Sequence, residues 1–391
     1  MPGWRICGCA ALAAVVTGLF CGMAGAQLMI VGNDEKQGMD QNIHEAGHDT
    51  LSIIDISKPA APRIAATIPL MNSIQGPPTN LAIHQSGEIA LVANSVIPGP
   101  EKDGKPTLVS DDKVFVIDLK ANPPKQIDTI AVGKKPSGLA IGPKGDMALV
   151  ANRDEGTVSV LSIKGKEVKA VGSVAVGAGP DQVSAVAIAP DGKRALATKS
   201  AANKIAMLAI DGDKVSYDKN ADLPVGIYPY NVVITPDSKL GIVADTGSGG
   251  SSDGHVDTVS VIDLEANPPR VIDHITVGDS PEGLVLSPKG DLVVTIEARG
   301  SNRSKDTWYY HPGGAVTALK IDGKKVTKTG EVGVGALPEG GAFSTDGGYL
   351  YIGNFIDQDM SVLKVDGDKL SDTGQRFKLP GHPASVRAGP Q

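Results

Sequence analysis

Apolar residues fall in short runs along the whole chain, each bounded by Gly, Pro, Asn or Asp, and the runs are rich in Val and Ile. Runs of this length and composition predict strands rather than helices. One pattern recurs: a Pro, a short apolar strand, a polar turn with Gly, a second strand, a loop, a third strand, a turn, and a fourth strand ending in Val-Gly. Its clearest copy runs Pro136-Ser-Gly-Leu-Ala-Ile-Gly-Pro-Lys-Gly145, then Met147-Ala-Leu-Val-Ala-Asn152, Thr157-Val-Ser-Val-Leu161 and Gly172-Ser-Val-Ala-Val-Gly177. Other copies begin near Pro78, Gln182, Pro229, Pro281 and Pro338. In register with Pro143 stand Gln85, Pro190, Pro236, Pro288, Thr345 and Pro390, so that the intervals are 58, 47, 46, 52, 57 and 45 residues. Four strands per unit at that period predict the blades of a β-propeller.

The last copy, His382-Pro-Ala-Ser-Val-Arg387, supplies only a first strand. Its three missing strands are expected at the other end, in Leu28-Met-Ile-Val31, Thr50-Leu-Ser-Ile-Ile-Asp55 and Arg63-Ile-Ala-Ala-Thr-Ile68. Pairing them closes the ring and removes its open edges. The expected fold is therefore all-β, a seven-bladed β-propeller with four antiparallel strands per blade and a closing blade built from both termini, over residues 27–391 as one domain. Two kinds of turn join third to fourth strands. Asp118-Leu-Lys-Ala-Asn-Pro-Pro124 and Asp263-Leu-Glu-Ala-Asn-Pro-Pro269 are near-copies, and Lys164-Gly165, Asp211-Gly212, Asp322-Gly323 and Asp366-Gly367 read as tight hairpins.

Strings such as Ala90-Leu-Val-Ala-Asn94 and Ala148-Leu-Val-Ala-Asn152, followed by strands of the Val-Ser-Val-Ile-Asp type, resemble the YVTN-type propeller repeats. Those repeats are related to the seven-bladed lactonase family and to the haem domain of bacterial nitrite reductases. The resemblance spans essentially all of the chain after residue 26 and implies the fold. For activity it implies either an extracytoplasmic binding protein without catalysis or a sugar or muconate lactonase. The His-rich strand start of the sugar-lactonase branch is not found.

Composition narrows the picture. With 48 Gly, 27 Pro and only 4% aromatic residues, helical bundles and coiled coils are excluded. A formal charge of -7 gives no field for nucleic acid or anionic lipid. Residues 1–26 carry Arg5, an apolar run from about Ala10 to Phe20 and an Ala24-Gly-Ala26 site, which together read as a secretory signal peptide. That apolar run is shorter than a membrane span, so an exported protein, periplasmic or secreted and without a span after cleavage, is expected. All three cysteines (Cys7, Cys9, Cys21) lie in this segment. Past it the chain offers no disulfide, thiolate metal site, Cys nucleophile or covalent haem attachment.

Candidate chemistry gathers on one face. Four second-to-third connections are long, at residues 33–49, 94–112, 246–257 and 298–314, and loops held on a rigid scaffold commonly carry binding sites. His44-Glu-Ala-Gly-His48 matches the H-E-x-x-H zinc motif, yet it sits in a short loop of an all-β ring where Gly47 weakens a helix. A simple divalent-metal site from His44, His48 and His382 is the alternative to a protease motif, because His382 begins the first strand of the same blade. The segment from Arg299 through Arg303 to Trp308, Tyr309 and His311 puts aromatics beside cations, a composition suited to stacking recognition or a partner hot spot. Around the central funnel the first-strand starts supply Asn80, Tyr230, Asn231, Glu282 and Glu339. Converging carboxylates and amides there can hold Ca²⁺ or polarise a carbonyl, or simply satisfy backbone and channel water. No phosphate-binding loop, nucleophile elbow or dinucleotide fingerprint occurs. Two functions are thus expected: binding of a small molecule or protein on the insertion-rich face, or a metal-assisted lactonase or related hydrolase with Glu282, Glu339 or the His cluster at work.

Overall fold

The apolar runs become second strands sealed on both faces, with Ile89 to Ala93 and Ala148 to Ala151 fully buried. The fourth strands are largely exposed, as in Glu167–Ala175. Each sheet therefore passes from a dry interior to a wet rim. The computed structural model describes residues 27–37, 47–248 and 251–389. The expected signal peptide and His44 lie outside the described residues.

The strands form seven antiparallel sheets, the blades of a seven-bladed β-propeller. Blades 1 to 6 (residues 81–131, 136–175, 183–224, 229–276, 281–333 and 338–378) each use consecutive strands from the central channel outwards. Blade 7 is composite: Pro383–Ala388 is its inner strand, followed by Leu28–Asn33, Thr50–Asp55 and Arg63–Pro69. The seam pairs Met29 with Ala388, Ile30 with Arg387 and Val31 with Val386. In blade 3 the outer strand is split, and Lys214–Tyr217 and Leu223–Pro224 both pair with Lys204–Asp211. Among the described residues the only helical pieces are three short 3₁₀ turns.

Apolar side chains between consecutive blades make seven separate cores. Ile30, Leu51 and Ile53 of blade 7 pack on Leu81, Val92 and Ile117 of blade 1. On the other side Met29, Val31 and Ile54 meet Tyr351, Met360 and Val362 of blade 6. Strand Leu28–Asn33 thus feeds both cores that flank the seam.

One register of the second strands recurs in six blades. In four blades it is Asn33, Asn94, Asn152 or Asn354, buried and donating to the third strand; Asn152 Nδ2, for example, reaches Thr157 Oγ1 and Ser159 Oγ at 2.9 Å each. Blades 4 and 5 put Asp245 and Glu297 there, also buried, and now the hydroxyls of Ser260 (2.6 Å) and Thr295 (2.7 Å) donate instead.

One expected long loop is not a loop. Residues 94–112 continue the second and third strands of blade 1 into a ribbon, Ile89–Lys102 against Lys105–Asp118. The Asp103-Gly104 pair has positive φ at both positions (53° and 70°), as a two-residue hairpin turn requires. Polar alternation along the ribbon hides its strand character.

Candidate functional site

The seven inner strands surround the channel and all start on the face that bears the insertions. Just before those starts, Lys135, Gln182, Tyr228, Ser280 and Leu337 occupy one register, and all have positive φ, from 47° to 56°. Left-handed backbone is unfavourable for such side chains, by about 1 kcal/mol or more each. The same left-handed residue thus leads into the first strand in five blades.

Arg153, the residue after Asn152, lies across this mouth. Its guanidinium donates to Gln182 Oε1 (2.7 Å) and to the Tyr228 hydroxyl (2.8 Å) and stands 5.7 Å from the centre of the Tyr230 ring. Tyr228 also donates to Gln182 Oε1 (2.6 Å) and stacks on Tyr230 with ring centres 6.1 Å apart. Burial works against the charge on Arg153, but Tyr230 and Tyr228 more than offset it and raise its pKa. Lys135 is nearby and shifts downwards, through burial first and the Arg153 charge second. Neither cation makes an ion pair among the described residues.

Two carboxyls complete the mouth. Glu282 and Glu339 hold the same register in blades 5 and 6, directly after Pro281 and Pro338. Glu339 is 1% exposed and its Oε2 has no hydrogen-bond partner. Burial, reinforced by the Glu282 charge, raises its pKa well above the carboxylic range. Glu282 is half-buried. Burial pushes it up to about 7, against the pull of the Ser280 hydroxyl, Arg153 and Arg303. Burial therefore favours the protonated form at both carboxyls.

Arg303 links this mouth to the insertions. Its guanidinium donates to the Ser252 carbonyl (2.8 Å) and to Ser251, while its buried Nε is left without a partner. The insertions of blades 4 and 5 lean on one another: Tyr309 Oη donates to Ser252 O (3.1 Å), and Gly300 N to Ser252 Oγ (2.9 Å). A Cβ on Gly254, whose φ is +83°, would stand 2.6 Å from Tyr309 Cβ, so glycine permits this approach. Trp308 behaves differently. It is 76% exposed, edge-on to Tyr309 (5.2 Å) and His255 (6.2 Å). With Arg299, His311 and Glu331 it borders a side cleft of about 380 Å³. Arg299 is tied to Glu331 there at 3.2 Å.

The remaining expected site residues are placed as follows. Asn80 Nδ2 donates to Asn72 Oδ1 (2.9 Å) and the Ala93 carbonyl (2.8 Å). Asn231 Oδ1 accepts from the Val232 amide. Both are framework bonds. His48 is exposed. His382 starts the closing inner strand, with Nδ1 2.7 Å from the Phe355 carbonyl, which places a proton on that nitrogen. Its Nε2 is 2.7 Å from the Gln358 amide nitrogen and 3.9 Å from Glu35. Among the described residues no three His, Cys, Asp or Glu side chains converge as a metal-binding group.

No protein-family model matches the chain. No curated protein sequence matches it either. Solved structures do. A periplasmic gluconolactonase of Pseudomonas aeruginosa superposes with a TM-score of 0.67 at 16% identity, covering 93% of this chain and 99% of that one. A candidate 6-phosphogluconolactonase of Bacteroides fragilis gives 0.66 at 18% identity over 94% and 98%. Hydrazine synthase of Kuenenia stuttgartiensis gives 0.60 at 21% identity over 81% and 91%. At these identities the likeness is one of fold.

Sequence reasoning reached Glu282, Glu339, Tyr230 and Arg303 but missed Arg153, Gln182, Tyr228 and Lys135. A signal existed. Arg153 follows Asn152 at the register that holds Ser95, Ser200 and Thr246 in other blades, and the other three stand immediately before a first strand.

Proposed function

We propose that this chain is an exported propeller that binds a small polyhydroxylated acid at the channel mouth, on its insertion-rich face. The observation that carries the reading is the buried Glu339 carboxyl with an unpartnered oxygen. Such a group is unfavourable by about 1–3 kcal/mol unless something bonds to it. Lys135 and Arg153 stand at the same mouth and make no ion pair among the described residues. A ligand with an anionic end and several hydroxyls matches that division: guanidinium and ammonium take the anion, and the Glu282–Glu339 pair both donates to and accepts from hydroxyls. Export rests on the amino-terminal segment read above. Calorimetric titration with gluconate tests the reading. Binding that weakens at least tenfold in E339Q and in R153M supports it, and equal binding by all three proteins defeats it.

A lactonase or related hydrolase acting in the same funnel is the second reading, favoured by the Glu282 pKa of about 7 and prompted by the names of the similar gluconolactonases. Glu282 would take a proton from the water that attacks the lactone carbonyl, and Arg153 would stabilise the charge developing on oxygen. As the ring C–O bond breaks, Glu339 would return a proton to the leaving alkoxide. A divalent ion held by these carboxyls belongs to this reading and is assayed by metal analysis. Hydrolysis of glucono-1,5-lactone above the spontaneous rate, lost in E282Q, separates catalysis from binding alone.

A further inference from the structure

Past the mouth, the channel continues to the opposite face. One register crosses it there: Ala82, Ala140, Ala187, Val233, Val285 and Ala342 in blades 1 to 6 pair with Leu91, Leu149, Leu196, Ile242, Val294 and Tyr351. The seventh member, paired with Ile30, is Arg387. Six small apolar side chains and one guanidinium therefore share a ring. Arg387 lines a cavity of about 340 Å³ whose other walls include Val186, Val232, Ile234 and Phe343. The cavity opens where the inner strands end, away from Glu282 and Glu339.

No acceptor among the described residues lies within hydrogen-bond reach of Arg387, and it makes no ion pair there. It is half-buried. Burial pushes its pKa down to about 10, with no carboxylate among the described residues opposing the shift. The group stays charged at neutral pH, and a cation among apolar side chains with no counter-ion among the described residues is unfavourable. A purely structural ring would place Ala or Val here, as the other six blades do.

We propose that Arg387 is the anchor of a second binding site, for a small organic carboxylate that enters the channel from the face opposite the funnel. The guanidinium offers two parallel N–H donors to one carboxylate, and the Ala and Val walls suit a short hydrocarbon tail. A bare inorganic anion would satisfy the charge but leave its far side against side chains such as Val186, Val232 and Phe343, so the tail favours the organic acid.

The test uses the full chain with butyrate as probe and inorganic phosphate as the comparison anion. Binding is followed by calorimetry and by the Nε–H resonance of Arg387, assigned by its absence in R387M. Butyrate should shift that resonance and bind at least tenfold more weakly to R387M, while E339Q and R153M bind it like the parent. Because R387M removes an unpaired charge, it should melt no lower than the parent without ligand. If R387M does not fold, R387K keeps a cation without the fork and should still lose most of the affinity. No butyrate binding by the parent, equal binding by R387M or R387K, or binding of phosphate but not butyrate would each overturn the proposal. Loss of butyrate binding in E339Q would instead assign it to the funnel, and would equally overturn it.

Discussion

Glu282 and Glu339 stand at one register of adjacent blades, and the charge on the first raises the proton affinity of the second. Burial acts on both in the same direction, and the same holds for Asp245, at about 7, and Asp257, at about 6. A carboxyl whose folded pKa is raised stabilises the fold fully below its unfolded pKa, and that contribution is lost as pH rises through the folded value. The melting temperature should therefore be highest near pH 5 and fall between about pH 5 and 8, and E339Q should flatten part of the slope. A melting temperature that climbs over this range would contradict these carboxyl environments.

Asp245 allows a sharper version. It occupies the register held by Asn33, Asn94, Asn152 and Asn354, and its ordinary value of 3.8 is raised to about 7 by burial, against the Ser260 and Thr258 hydroxyls. D245N keeps the shape without the charge, and the two hydroxyls can still donate to its carbonyl oxygen. At pH 8.5 it should stabilise the protein by about 1–3 kcal/mol, with little gain at pH 4. Urea titrations at the two pH values give the difference, and equal effects at both would count against a raised Asp245.

Closure by both termini predicts a large effect from a small deletion. Removing residues 382–391 takes the inner strand from blade 7 and uncovers Met29 and Val31 on one side and Ile30 on the other. Two of the seven cores then lose a wall. The truncated chain should lose its single cooperative thermal transition, and retention of the parent's melting temperature would refute the seam.

The repeat made the ring legible, because register, strand count and the missing seventh copy were all written in the Pro and Gly spacing. The mouth was legible only where a residue sat inside a repeat unit. Glu282 and Glu339 were visible as first-strand starts, whereas Arg153 acts from the end of one blade on Gln182 and Tyr228 of the next two, a relation that spacing does not encode. Arg387 was visible as a strand residue, but its oddity emerges only when seven registers are superposed. The sequence presents the aromatic insertion as one unit, and the structure divides it: Tyr309 is half-buried against Gly254 and Ser252, and Trp308 is exposed.

That division is testable. In protein lacking residues 1–26, Trp308 is the sole tryptophan. Its emission should be solvent-like, and W308A should alter stability by no more than ~0.5 kcal/mol. Y309A removes the ring against Gly254 and the bond to Ser252, so it should destabilise by about 1–3 kcal/mol. A blue emission, or equal losses in the two variants, would show that Trp308 is packed.

The most direct measurement of the funnel reading is the infrared carbonyl stretch of protonated Glu339, assigned by its absence in E339Q. At pH 7 the band should be present, and saturating gluconate should shift it as the free carboxyl oxygen gains a partner. A Glu339 that is already ionised at pH 7, or a band that stays put while gluconate binds, would contradict the assignment of the channel mouth as the binding site.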